Sequence, residues 1–409
     1  MTLEAPIEHA PRFLDAAAAI ARARRAVIAD RYAIESLVVE WRELSRCDSI
    51  TDEWRDLAAR ALVPNAFYEP AFALAAAALF GRGVGAVLVW SGATPRKLLG
   101  LFPARIVTRR YGLRLRVLVG WTHPFAPLGA PLIDREVAEP VIAAWLSHIA
   151  GNDRLPGLLL LPLVPDDGPF AAALGVVFRR ARIPTGAFNR HSRALLAPTG
   201  NRSAYVEHAL GPRKYRELRR TVRRLGEAGA SLFATATEPQ DIAQGLDSFL
   251  KLEASGWKGK AQTAAACNNE VSGFVKAAVA ALAAEHKAEI DRILLDGRPI
   301  AAAVTLRSGD GAWFWKIAYD EALARFAPGV MLTALVTERL ADDASIAHVD
   351  SCATADHAVM NRTWSERLAL CDLLVAARPG APFARAQRLE RIRIAAIAAA
   401  KRLRGVLAR

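Results

Sequence analysis

The sequence predicts an α/β (α+β) protein built from one unit used twice, each a mixed central sheet flanked by helices. Three observations predict this. Buried-strand patterns alternate with helical periodicity along the chain. The order of elements in the first half recurs in the second. The 409 residues, 53% of them apolar, suffice for two domains of ordinary size with a large core.

Residues 1–30 are rich in Ala and Arg, with a basic cluster at Arg22, Arg24 and Arg25, and read as an N-terminal extension. A first unit, 31–185, opens with a strand at Ile34–Trp41. Helical patterns follow at Thr51–Leu62 and Tyr68–Phe80, then strands at Ala86–Trp90, Lys97–Thr108 and Leu113–Val119. Trp121–Pro131 is a loop with three prolines and His123. Glu136–Ile149 has an acidic first turn and Gly151 beyond its end, the signals of a helix start and stop. Leu158–Leu163 reads as a buried strand, Phe170–Leu174 as a short helix and Val176–Arg182 as a strand.

A second unit, 186–380, repeats the order. It runs through a short strand at His191–Leu196, a helix over Ser203–Leu225 broken at Gly211-Pro212, and a strand at Ser231–Thr237. Helices at Pro239–Glu253 and Ser272–His286 precede strands Glu289–Leu295 and Ile300–Ser308, joined by the hairpin signal Asp296-Gly297-Arg298. Strands at His348–Cys352 and Leu368–Ala376 close the unit, and 381–409 is a basic C-terminal helix. Glu136–Ile149 leading into Leu158–Leu163 mirrors Gly329–Leu340 leading into His348–Cys352. The first copy has no Arg-rich turn before its helix, so it reads as a degenerate copy that shapes an acceptor cleft.

The second copy is organised around Trp313–Leu340. Trp313–Tyr319 is a buried strand, Asp320–Ala327 a polar loop, and apolar residues from Val330 to Leu340 follow a helical period. Pro328 suits the first helical position, where its missing N–H costs nothing. Gly329 keeps the turn free of a side chain, so that a ligand can approach the backbone. Free N–H groups at a helix start attract anions, and Arg325 adds a planar fork suited to phosphate. Arg325, Phe326, Ala327, Pro328, Gly329 and Val330 therefore read as a cradle for a diphosphate.

A net charge of +13 points to acidic partners: polyphosphate cofactors, nucleic acid or an anionic membrane surface. Cys47, Cys267, Cys352 and Cys371 form no CxxC pair and no zinc spacing, so no metal is expected. The apolar runs are shorter than the roughly 20 residues of a membrane span. The N-terminus has no signal-like apolar core. The expected location is cytoplasmic or peripheral at the inner membrane.

The turn Arg325-Phe326-Ala327-Pro328-Gly329-Val330 resembles the acyl-CoA site of the GNAT acyltransferases, with Pro328 and Val330 where that superfamily usually has glycines. The stretch 251–259 (KLEASGWKG), the stretch 315–321 (WKIAYDE) and the stretch from Asp356 to Trp364 are similar to the CelD/BcsL acyltransferases, a cellulose-biosynthesis group. That group is similar to two tandem GNAT folds and is related to Fem-type ligases. The resemblance implies acyl-CoA as co-substrate, bound by the second unit, with the carbonyl polarised by a backbone N–H of Trp313–Tyr319.

Acyl transfer to an amine or hydroxyl also needs a group to take the acceptor's proton. The candidates are Asp350, Glu253 and His357, with Lys316 beside them. Asp350 either acts in the reaction or pairs with Lys316. Lys316, mid-strand among aromatics, either pairs structurally or contacts acceptor or phosphate. Glu253 lies over the cleft or on the helix surface, and His357 sits in a loop. No nucleophile elbow is present, so a Ser-His-Asp triad is not expected.

The helix Arg213–Arg224 is the densest basic patch, suited to a phosphorylated acceptor, the donor's phosphates or RNA, or else simply solvated. In Phe383–Arg409, Leu389, Ile392, Ala396, Ala399, Leu403 and Val406 recur at helical spacing among arginines, a pattern that fits an anionic membrane or packing on protein.

The function expected is acyl transfer from acyl-CoA to an envelope sugar, lipid or polysaccharide precursor. The alternatives are an aminoacyl-tRNA-dependent Fem-like ligase and a non-catalytic scaffold of an exopolysaccharide complex.

Overall fold

A computed structural model of the chain describes residues 37–198 and 202–407, with side chains to residue 400. The N-terminal extension expected at 1–30, and the start of the strand expected at Ile34, lie outside the described residues.

The first half begins with β1 (Val38–Glu43), α1 (Thr51–Ala59) and α2 (Pro70–Phe80). The strands β2 (Val84–Trp90), β3 (Leu98–Arg110), β4 (Leu113–Gly120) and the short β5 (Leu132–Ile133) follow. Then come α3 (Ala138–Gly151), β6 (Leu158–Pro165), α4 (Gly168–Ala181) and β7 (Thr185–Leu196). The second half has α5 (Tyr205–Leu210), α6 (Pro212–Ala228), β8 (Ser231–Ala236), α7 (Pro239–Ser255), α8 (Trp257–Lys260) and α9 (Asn269–Ala283). It continues with β9 (Ala288–Leu295), β10 (Arg298–Ser308), β11 (Gly311–Tyr319), α10 (Pro328–Asp342), β12 (His348–Asp350), α11 (Ala358–Thr363) and β13 (Glu366–Ala376). The last helix is α12 (Phe383–Leu407).

Two sequence expectations are corrected here. Val176–Arg182 is not a strand but the second half of α4. Phe170, Leu174, Val177 and Phe178 are buried together, the i, i+4, i+7, i+8 stripe of a helix facing a core. The segment between β11 and α10 is not an open loop. It is a 3₁₀ turn, Glu321–Phe326, whose start is capped by the Asp320 carboxylate accepting from Ala322 N–H.

All the strands join one mixed sheet, ordered β1-β2-β3-β4-β6-β13-β7-β12-β11-β10-β9-β8, with β5 attached to β3. The order is symmetric about its centre. Each half lays down its strands in the same sequence, and in each the fourth and fifth principal strands pair in parallel: β4 with β6, β11 with β12. At the centre the last strands are exchanged. β13 lies between β6 and β7, and β7 lies between β13 and β12. Each half's sheet is thus completed by the other's final strand. The ladder between Glu366–Val375 and Thr185–Leu195 joins the two halves through backbone hydrogen bonds.

Helices cover both faces. α2, α7 and α9 bury Phe72, Phe249, Phe274 and Trp313 in a core shared by the two halves. α5 and α10 pack Val206, Met331, Leu332, Val336 and Leu340 on the opposite face of the second half. The first half's α3 and α4 have their own core around Trp145, Phe102 and Phe170.

Candidate functional site

The site starts from a splay in the second half. β11 pairs with β12 only from Gly311 to Trp313, opposite His348 to Asp350. β11 then runs on to Tyr319, while the chain after Asp350 turns away at Cys352, which adopts a left-handed φ of 52°. One edge of β11 past Trp313 is left without a strand beside it. A small cleft lies between the end of α7 and the far end of β11, lined by Glu253, Trp257, Lys258, Ile317, Tyr319 and Glu321.

The first half treats its own splay differently. Between β4 and β6 it inserts the loop 121–131. Gly129 N–H donates to Leu163 O, and a Cβ at Gly129 would lie 2.1 Å from Pro162 O, so only glycine fits. Asn65, fully buried, holds the loop by donating to Leu128 O and Ala130 O. Before the first half's α3, Asp134 accepts from Glu136 N–H and is bonded to Arg60.

The same loop reaches β11 of the second half. Trp315 Nε1 donates to Phe125 O at 2.9 Å, and Arg193 Nη1 donates to Pro127 O at 2.9 Å. The Phe125 ring sits 4.2 Å from Lys316 Nζ, and the Trp315 ring 5.2 Å from it, an arrangement favourable to a cation. The first half's loop thus packs on β11 at Trp315 and Lys316.

Lys316 has no ion pair or hydrogen bond among the described residues. Burial pushes its ammonium down from 10.5 to about 8, against the opposing pull of the Glu253 carboxylate. Of the two roles open for Asp350, pairing with Lys316 is not what the structure shows. Asp350 pairs with Arg193 at 2.5 Å, both groups buried, and accepts from Cys352 N–H at 3.0 Å.

Glu253 is buried rather than on the helix surface. It accepts from Lys258 Nζ and from Ala265 N–H, both at 2.9 Å. Desolvation tends to raise its pKa, but Lys258 and these bonds outweigh it and the carboxyl titrates below its usual range. His357 is exposed, and its Nδ1 accepts from Met360 N–H to cap α11. Glu253 and Asp350 thus have both carboxylate oxygens bonded and His357 has one ring nitrogen bonded, whereas Lys316 has no such partner among the described residues.

The cradle residues lie together at the start of α10. Ala327 takes a left-handed φ of 46° as the N-cap, and no side chain caps the helix. Pro328 has no N–H and Met331 N–H is bonded to Ala327 O, so the Gly329 and Val330 N–H groups are the free donors. Arg325 is exposed, with its guanidinium 4.8 Å from the Phe326 ring. The glycine's role differs from the one expected. A Cβ at Gly329 would sit 2.7 Å from the Tyr319 ring, so the space that it opens serves the packing of β11 on α10.

α6 lies against the Glu321–Phe326 turn. Arg219 and Arg223 of α6, with Met331 and Leu335 of α10, line a groove of about 470 Å³. Glu338 of α10 lines it too, and the groove runs along α10 past its first turn.

Phe125, Arg193 and His123 were not singled out by sequence. Both ring nitrogens of His123 are buried against the rings of Phe72, Phe80, Trp121 and Phe274, with no hydrogen-bond partner among the described residues. Burial pushes this imidazole down to about 4, so it is neutral at pH 7. The usable signal was the aromatic content of 121–125 (WTHPF), since large rings in a loop need something to pack against.

Residues 212–358 match the acetyltransferase (GNAT) domain. The matched segment spans α6 through the start of α11 and so contains Glu253, Lys316, Asp350 and the cradle. The structure is similar to that of FemX, at 10% identity and a TM-score of 0.52, over 80% of this chain and 95% of that one. It is similar to the C-terminal domain assigned to a lysylphosphatidylglycerol synthetase of Agrobacterium fabrum, at 11% identity and a TM-score of 0.51, over 80% and 92%. A tandem GNAT protein of the clavulanic acid pathway aligns over 84% and 100%, at 12% identity and a TM-score of 0.36. No curated protein matches the sequence. At these identities the likeness to FemX and to the synthetase domain is one of fold. Among the described residues no cluster of His, Cys, Asp or Glu could hold a metal ion, and no helix is long and apolar enough to cross a membrane.

Proposed function

We propose that this chain is an acyltransferase of the CelD/BcsL kind. It moves an acyl group from acyl-CoA to an amine or hydroxyl of an envelope sugar, lipid or polysaccharide precursor at the inner face of the membrane. The two repeats divide the work, with β7 (Thr185–Leu196) as the last strand of the first. The second holds the donor, with its diphosphate on the Gly329 and Val330 N–H groups beside Arg325 and α6. The first, its own splay filled by the loop 121–131, supplies a wall of the acceptor cleft.

The observation that carries this reading is Lys316. A cation without a partner, held against two aromatic rings where β11 leaves β12, is costly to fold and has no structural use in view. Its lowered pKa lies in the range suited to a general base near neutral pH. In this reading the neutral Lys316 amine takes the proton of the acceptor as its nitrogen or oxygen attacks the thioester carbonyl. The β11 backbone polarises that carbonyl, and the CoA thiolate leaves. Asp350, Glu253 and His357 position the surrounding strand, helix and turn. The reaction has no step that calls for a metal.

Calorimetry with acetyl-CoA and a longer acyl-CoA tests the donor. Binding is expected, weakened about tenfold by Arg325→Ala, the usual scale of one charge-assisted contact. No binding of either thioester overturns the reading. Binding of an aminoacyl-tRNA in its place would assign a Fem-like ligase, and binding of neither class a scaffold.

A further inference from the structure

Far from the cleft, a second surface is built from two elements that the reaction does not use. β3 and β4 meet at Tyr111-Gly112, where both residues have positive φ, 57° and 73°. From Arg105 to Arg116 most residues are exposed. In this ladder Arg109 stands directly opposite Arg114. Like charges in that register repel and weaken a hairpin, so the pair is better suited to an anion than to folding.

The hairpin tip is fastened to α12. The Glu390 carboxylate, 1% exposed, accepts from Arg110 Nη2 at 2.6 Å, from Arg393 Nε at 2.8 Å and from the Tyr111 hydroxyl. Glu390 is the one carboxylate in either segment, 105–116 or 383–407. Its charge is spent inward. Arg109, Arg114, Arg385, Arg388 and Arg391 have no ion pair among the described residues.

Interleaved with these arginines are aliphatic side chains that nothing covers. Ile106, Leu113, Ile392 and Ile397 are 37%, 38%, 56% and 44% exposed. The stripe expected along the last helix is split. Leu389 packs on the body with Phe383 and Ala386, while Ile392 and the run from Ala395 onward face outward.

We propose that the β3–β4 tip and the outer side of α12, joined through Glu390, form one docking surface for a bilayer rich in anionic lipid. This deepens the membrane location proposed above by naming the face that meets it. Unpaired arginines match anionic headgroups, and protruding aliphatic side chains match the boundary between headgroups and acyl chains. Nucleic acid fits less well, because the surface offers aliphatic groups where base stacking needs exposed rings.

The test is co-sedimentation of the full chain with phosphatidylcholine vesicles, plain or containing about one-third phosphatidylglycerol. Binding is expected only to the anionic vesicles. Each arginine near the surface contributes roughly fivefold, so R109S/R114S should weaken binding about 25-fold and R385S/R388S/R391S about 100-fold. Ile392→Ser should weaken it further in high salt, where the charges are screened.

Absence of binding to the anionic vesicles overturns the proposal, as does wild-type binding by R109S/R114S. So does displacement of the vesicles by an RNA duplex at lower concentration, which would make the surface a nucleic-acid site. Self-association that depends on Ile392 while vesicle binding does not would make it an interface between copies. Acyl-CoA calorimetry on the same variants should be unchanged, so failure here leaves the acyl-transfer reading standing.

Discussion

Replacing Lys316 with methionine is expected to lower kcat by roughly 10²- to 10⁴-fold, the usual worth of a positioned general base, and to raise the melting temperature at neutral pH. The two effects have one cause. Burial beside Phe125 and Trp315 brings Lys316 down to about 8, whereas the unfolded chain keeps this proton up to the ordinary lysine value near 10.4. Between those values the unfolded state binds more protons, so stability rises with pH across that window. Below about 8 the folded state carries the whole penalty of the buried ammonium. Methionine matches the stem and removes that penalty, so the variant melts higher at pH 7. The gap should close as pH climbs from about 8 toward the unfolded value.

The rate should behave in parallel. A reaction that needs the neutral amine accelerates with pH through about 8 and levels off above it, and the methionine variant loses that inflection. An arginine side chain stays protonated throughout, so Lys316→Arg should be as inactive as Lys316→Met. Substantial activity in the arginine variant would show that a fixed positive charge is what the cleft requires. A lower melting point in the methionine variant would show a structural lysine.

Much of the fold was legible because its signals are local. The alternation of strands with helices, the break at Gly211-Pro212 and the hairpin at Asp296-Gly297 each depend on residues within a few positions of one another. Val176–Arg182 misled because a short apolar run is ambiguous between strand and helix. It became legible only with Phe170 and Leu174 counted on the same stripe.

What sequence could not supply is partner choice across the halves. The bond between Trp315 and Phe125 joins residues 190 positions apart, and that between Arg193 and Asp350 spans 157. No periodicity encodes either. The exchange of β7 and β13 is invisible for the same reason, since a strand's own pattern does not reveal its neighbour. The site residues divide likewise. A lysine among aromatics marked Lys316 from sequence, but its lack of a partner emerged only once Arg193 was seen to occupy Asp350.

Arg193→Met should destabilise the protein by about 3–5 kcal/mol, the cost of leaving one member of a buried ion pair uncompensated. Arg193 and Asp350 are 3% and 1% exposed, so water cannot readily replace the lost guanidinium. Urea unfolding at pH 7 measures the loss, and a change below about 1 kcal/mol would mean that the pair behaves like an exposed one. The double variant R193M/D350L, which removes both charges at similar volume, should recover most of the loss. The guanidinium also donates to Pro127 O and so holds the loop that carries Phe125 over Lys316. In the double variant the charge penalty is gone but that tether is still missing. Water then reaches Lys316 more easily, its pKa moves up toward the ordinary lysine value, and the inflection in the rate moves above pH 8 with it. A restored melting point with a displaced inflection would separate the two duties of Arg193: neutralising Asp350, and tethering the loop that holds Phe125 against Lys316.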